Sequence, residues 1–128
     1  MKYLKKYKLF ESKEDRITEL NNILEDVKNI LVDLEDDHNL ILEYITNGTY
    51  HKEDDSLPFP SIIIIVECDD IFSISKIIDI LKRIESYVTR SGFKIDAELS
   101  DNYTSLDEFI EEYEDVEEEI CRMDLIIY

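Results

Sequence analysis

At 128 residues the chain has the size of one domain and can bury roughly two-thirds of its unfolded surface, enough for a core without disulfides. Its 14 Lys and Arg face 32 Asp and Glu, a formal net charge of −18. That charge argues against direct nucleic-acid binding and favours a protein partner with a basic surface. Hydrophobic residues make up 44% of the chain, which argues against disorder throughout.

The charge is uneven. Residues 1 to 64 carry 8 basic and 14 acidic side chains, and residues 65 to 128 carry 6 and 18, so the acidity belongs mainly to the C-terminal half. Cys68 and Cys121 are the only cysteines, each in an apolar or mixed run, and read as buried free thiols in a reducing compartment. The longest aliphatic run, Ile62 to Val66, is too short to span a bilayer, and the basic N-terminus lacks the apolar stretch of a secretory signal.

Residues 1 to 10, MKYLKKYKLF, hold four lysines and no acid, whereas the chain from Glu11 onward is acid-rich. Residues 1 to 11 therefore read as a basic leader or tail, and 12 to 128 as a single α/β domain. Ser12 suits a helix N-cap with Glu14 and Asp15 in the first turn, and Ile17, Leu20, Leu24, Val27, Leu31 and Leu34 follow at helical spacing. Asp36 to Asn39 ends that helix. Leu40 to Thr46 reads as a strand with Leu40, Leu42 and Tyr44 on one face, closed by the hairpin dipeptide Asn47-Gly48.

A polar loop over residues 52 to 60 precedes Ser61 to Val66, β-branched and apolar on both faces, which suits a central strand. Ser73 or Ser75 opens a second helix with Ile77, Ile78, Leu81, Ile84 and Val88 buried, and Gly92 supplies a left-handed C-terminal position. Phe93, Ile95, Ala97 and Leu99 alternate with Lys94, Asp96 and Glu98, a half-buried strand expected to lie parallel to Ile62–Val66 after a right-handed crossover. Ser105-Leu-Asp-Glu108 is a capping box for a short helix with Leu106, Phe109, Ile110 and Tyr113 inward. The tail ICRMDLIIY alternates as a last strand. The order α-β-β-α-β-α-β predicts a two-layer sandwich, a mixed sheet of about four strands with two long helices on one face.

Chemistry is mostly excluded. Two glycines, Gly48 and Gly92, cannot build a phosphate-cradling loop, and His38 and His51 lack the spacing of a zinc site or a catalytic dyad. Residues 101 to 112 have the length of a calcium loop, but Leu106 stands where glycine is required. His51 with Asp54 and Asp55 reads as a solvated loop. Cys68-Asp69-Asp70 at a strand end reads as a buried thiol with helix-leading acids. No catalytic residue, metal or cofactor is assigned, and the chain reads as non-enzymatic.

The strongest local feature is nine acids in thirteen residues: Asp107, Glu108, Glu111, Glu112, Glu114, Asp115, Glu117, Glu118 and Glu119, with no base among them. The run reads either as a solvated face that keeps the protein soluble or as a partner-binding surface that imitates nucleic-acid phosphates in a basic cleft, as an acidic cytoplasmic inhibitor of a host protein would. The N-terminal segment has three readings. Met1, Leu4, Tyr7 and Phe10 line one side of a short basic helix suited to a membrane surface, and the lysines alternatively suit folding back on the acidic body.

The third reading is a resemblance. Leu9-Phe10-Glu11 followed by Ser12 resembles the aliphatic-any-Glu signal cut by prohead proteases of T-even-like tailed phages, with the cut after Glu11. The body, with its segment Ile77 to Tyr87, is similar to a loose group of small tailed-phage proteins that carry no assigned activity. The resemblance implies a protein of the host-cell cytoplasm or the virion head, whose leader directs it into the assembling head and is then removed.

Overall fold

The computed structural model describes residues 13–50 and 59–128. In chain order these form α1 (Lys13–His38), β1 (Ile41–Tyr50), β2 (Phe59–Ser73), α2 (Ile74–Arg90), β3 (Ile95–Leu99), β4 (Asn102–Ser105), α3 (Leu106–Tyr113) and β5 (Glu119–Ile127). The fold is α+β, with a sheet ordered β1-β2-β5-β3-β4 and every neighbouring pair antiparallel.

The helices form as their apolar periodicity requires. In α1, Leu20, Val27, Leu31 and Leu34 are fully buried and Ile23, Leu24 and Ile30 pack beside them. Asn39 ends the helix in the left-handed region at φ 56, and the Leu40 amide donates back to the Leu34 carbonyl at 3.0 Å. Gly92 closes α2 at φ 88 in a Schellman motif, with the Phe93 amide on the Val88 carbonyl and the Gly92 amide on the Thr89 carbonyl, both at 3.1 Å. Arg83 of α2 reaches Asp33 of α1 at 3.0 Å and the Tyr87 hydroxyl donates to Asp26 at 2.8 Å, so the two long helices are laced together above their shared core.

Alternation places Ile62, Ile64 and Val66 of β2, Met123, Leu125 and Ile127 of β5, and Ile95 and Ala97 of β3 under the helices, all buried in one cluster with them. Each strand's remaining positions form a second face, to which Ile63, Ile126 and Asp124 belong by register.

The sheet corrects the expectation of a mixed, four-stranded arrangement: it has five strands, all antiparallel. β3 and β2 run in the same direction, since each is antiparallel to β5, but β5 lies between them. The two strands keep the expected parallel direction but do not pair, because the C-terminal strand lies between them. Leu125, Ile126 and Ile127, apolar on both faces, suit that interior slot. The added strand, β4, returns from β3 through a two-residue loop, Ser100-Asp101, with φ of 51 and 66, the geometry of a type I′ hairpin.

Asn47-Gly48 is not a turn. Gly48 lies within β1 opposite Ser61, and the register shifts between Ile45 and Gly48, so this glycine marks a β-bulge. A Cβ at Gly48 would lie 3.0 Å from Ile63 Cδ1 and 3.1 Å from Ser61 Oγ. The chain's return to β2 falls among residues 51–58, outside the described residues.

Neither cysteine is a buried thiol. Both are free, Cys68 half-buried and Cys121 exposed, because the β2–β5 ladder breaks between Glu67 and Phe72 and leaves Cys121 opposite the irregular stretch. Cys68-Asp69-Asp70 is likewise inside β2 rather than at its end, and both aspartates are exposed. Among the described residues no helix is long and apolar enough to cross a membrane.

Tyr44 of β1 points its hydroxyl into the helix layer, where the atom is buried and finds no hydrogen-bond partner among the described residues. Burial, and then the charge of Glu35, raise its phenol to about 12. A buried hydroxyl without a partner opposes folding by about 1 kcal/mol or more. Tyr44→Phe is therefore expected to raise unfolding stability by about 1 kcal/mol, read as a higher urea midpoint at unchanged slope.

Candidate functional site

The acidic run spans α3, the turn behind it and the first residue of β5. Ser105 caps α3 by accepting the Glu108 amide at 3.3 Å, as the capping box implies. Leu106, Phe109 and Ile110 then turn into the core, and Tyr113 packs against Phe109 with ring centroids 4.7 Å apart and planes tilted by 46°. That apolar stripe fixes the opposite side of the helix outward. Asp107, Glu108, Glu111, Glu112, Glu114, Asp115, Glu117, Glu118 and Glu119 are all exposed.

The run is held at both ends. The Lys82 ammonium of α2 pairs with Glu114, and that hydrogen bond keeps its proton more firmly than usual. The Ile74 amide donates to the Glu118 carbonyl at 3.0 Å, tying the turn to the start of α2. Asp107 and Glu108 sit in the first turn of α3, where the helix dipole favours them. Glu111 and Glu112 gain nothing from it. The result is a fixed, one-signed surface around an exposed Val116.

A second polar feature is an open hollow of about 300 Å³ beside the β3–β4 hairpin, lined by Glu98, Ser100, Asp101, Arg122, Met123 and Asp124. Arg122 grips Asp124 with a fork, Nε to Oδ1 at 3.1 Å and Nη2 to Oδ2 at 3.3 Å. Its guanidinium is thereby committed to a carboxylate of its own strand. Glu98 accepts from Tyr103 across the β3–β4 ladder. Among the described residues no group of three or more His, Cys, Asp or Glu is placed to hold a metal ion.

The scissile pair Glu11 and Ser12 lies outside the described residues, as do His51, Asp54 and Asp55. His38 is in the last turn of α1. Alternation of β3 and β5 missed two acids. Asp96 is 2% exposed and accepts the Tyr128 hydroxyl at 3.1 Å, and Asp124 is 9% exposed beneath Arg122. The i, i+2 spacing of Arg122 and Asp124, on one face of a strand, is the signal from which that pair was readable.

Tyr103 reports on the hollow. The hydrogen bond to Glu98, then burial and the charges of Glu98, Asp101 and Asp124, raise its phenol to about 12. The folded state therefore holds this proton more tightly than the unfolded state. Its contribution to stability is present below pH 10 and lost between about 10 and 12. Glu98→Gln is expected to bring the Tyr103 titration down toward 10, measured by NMR of ring-labelled tyrosine.

Comparison with protein-family models, with curated proteins and with solved structures finds no match to this chain.

Proposed function

We propose that this is a non-enzymatic protein of a tailed phage, associated with the virion head, whose residues 1–11 are a leader removed after Glu11. The observation that supports the reading is positional. The LFES signal falls at the abrupt change from four lysines in ten residues to an acid-rich body. N-terminal mass spectrometry of purified particles is expected to find a chain beginning at Ser12. A chain found only in infected cytoplasm, with Met1 intact, would sink the proposal.

A second reading is favoured by the exposure of all nine carboxylates on one fixed surface. On this reading the protein occupies a basic cleft of a host protein, with affinity that falls steeply as salt rises. Replacing Glu111, Glu112, Glu117 and Glu118 by Gln is expected to weaken binding to a lysine-rich probe peptide at least tenfold. Replacing four α1 acids, Glu19, Glu25, Asp36 and Asp37, should leave it within about twofold if the effect belongs to the surface rather than to net charge. Equal losses in both variants would refute this reading.

A further inference from the structure

On the second face of the sheet, away from the helices, the part around the end of β5 is deeply covered, whereas Ile41 and Ile45 of β1 on the same face are 50% and 39% exposed. Ile126 and Tyr128 are 3% and 6% exposed there, and Asp96 is 2% exposed. The described apolar neighbour of Ile126 and Tyr128 is the half-buried Ile63. An antiparallel sheet with one face on a helix layer commonly leaves the other to water, so burial of this depth calls for a further layer. We propose that this face is the docking surface for the chain's own residues 1–11, their lysines over its acids and their aromatic and aliphatic side chains over Ile63 and Ile126.

Three observations converge on that occupant. The first is where α1 begins. Arg16, in its first turn, donates to the Gly92 carbonyl at 3.4 Å and lies 4.1 Å from the centroid of the Phe93 ring. Two residues on, Lys94 and Tyr128 exchange both backbone hydrogen bonds, at 2.8 and 2.9 Å. The first turn of α1 therefore lies near the end of the sheet that carries Tyr128. Eleven residues extend up to about 36 to 40 Å, and five strands at about 4.8 Å spacing make a sheet roughly 20 Å across, so the tether reaches over the whole face.

The second is charge. Glu43, Glu67, Glu98, Asp96 and Asp124 share this face by register with two described bases, Arg122, which is paired with Asp124, and the exposed Lys94 beside Tyr128, so acids outnumber bases five to two. Residues 1–11 bring Lys2, Lys5, Lys6 and Lys8 against one acid, Glu11. The third is composition. Tyr3, Leu4, Tyr7, Leu9 and Phe10 supply the apolar area that covering Ile126 and Tyr128 requires. The other stretch outside the described residues, 51–58, carries Glu53, Asp54 and Asp55 and would set acid against acid. The docking holds whether or not the Glu11–Ser12 bond is later cut, and a cut would free the face.

The test uses the full chain. An equal mixture of ¹⁴N- and ¹⁵N-labelled protein is treated with a zero-length carbodiimide, and the links are read by mass spectrometry. The expected result is links within one isotope from Lys2, Lys5, Lys6 or Lys8 to Glu43, Glu67 or Glu98. Links of those lysines confined to the α1 acids or to Asp107–Glu119 would overturn the proposal. So would mixed-isotope links to the face, which would assign it to a second copy, or links to Glu98 from Lys52 alone. As a second readout, Lys2, Lys5, Lys6 and Lys8 are replaced together by Glu. Several-fold higher binding of an apolar fluorescent dye, with an unchanged far-UV spectrum, supports the docking, and unchanged dye binding refutes it.

Discussion

β5 pairs along both of its edges, and this double pairing turns two separate hairpins, β1–β2 and β3–β4, into one sheet. Ile126 sits opposite Ile63 on one side and Asp96 on the other, and Ile127 sits between Ile62 and Ile95. The strand contributes Met123, Leu125 and Ile127 to the helix-covered core and Ile126 to the opposite face. Burial of side chains of this size contributes roughly 1.5 to 3 kcal/mol each. Much of the cohesion between the two hairpins therefore resides in nine residues, and the placement of the acidic run follows from it, since Glu119 is the first residue of β5.

The elements set by local chemistry were legible in the sequence. The stripes of α1 and α2, the Gly92 cap and the Ser105 capping box stand in the structure where spacing places them, because each depends on residues within one or two turns. What was not legible depends on distant partners. Asn47-Gly48 carries the local signature of a turn, yet in β1 the glycine admits Ser61 and Ile63 of the neighbouring strand, which pairing alone reveals. β4 follows a Ser-Asp loop without the glycine that announces most hairpins of its type. The slot of β5 is a question of sheet order, which periodicity within a strand does not address.

The same division applies to the sites. The nine acids were legible as an exposed surface because nothing within the run neutralises them and α3 has an apolar stripe to turn the other way. Asp96 was read as a solvated position of a half-buried strand. It is buried because Tyr128, thirty-two residues later, delivers a hydroxyl to it through β5. A buried carboxylate is retained where a donor meets it, and sequence spacing does not show that meeting.

Among the described strands β1 is one edge of the sheet, and its first half, residues 41–45, pairs regularly with β2 and carries exposed Ile41 and Ile45. Such an edge is a template for the same edge of another copy. The bulge at Gly48 bends only its far half. At neutral pH the net charge of −18 holds copies apart. As the medium acidifies toward the carboxylate range, about pH 4, that repulsion fades while the edge stays as it was. The acidity is thus also a colloidal guard, opposing strand-to-strand self-association at neutral pH.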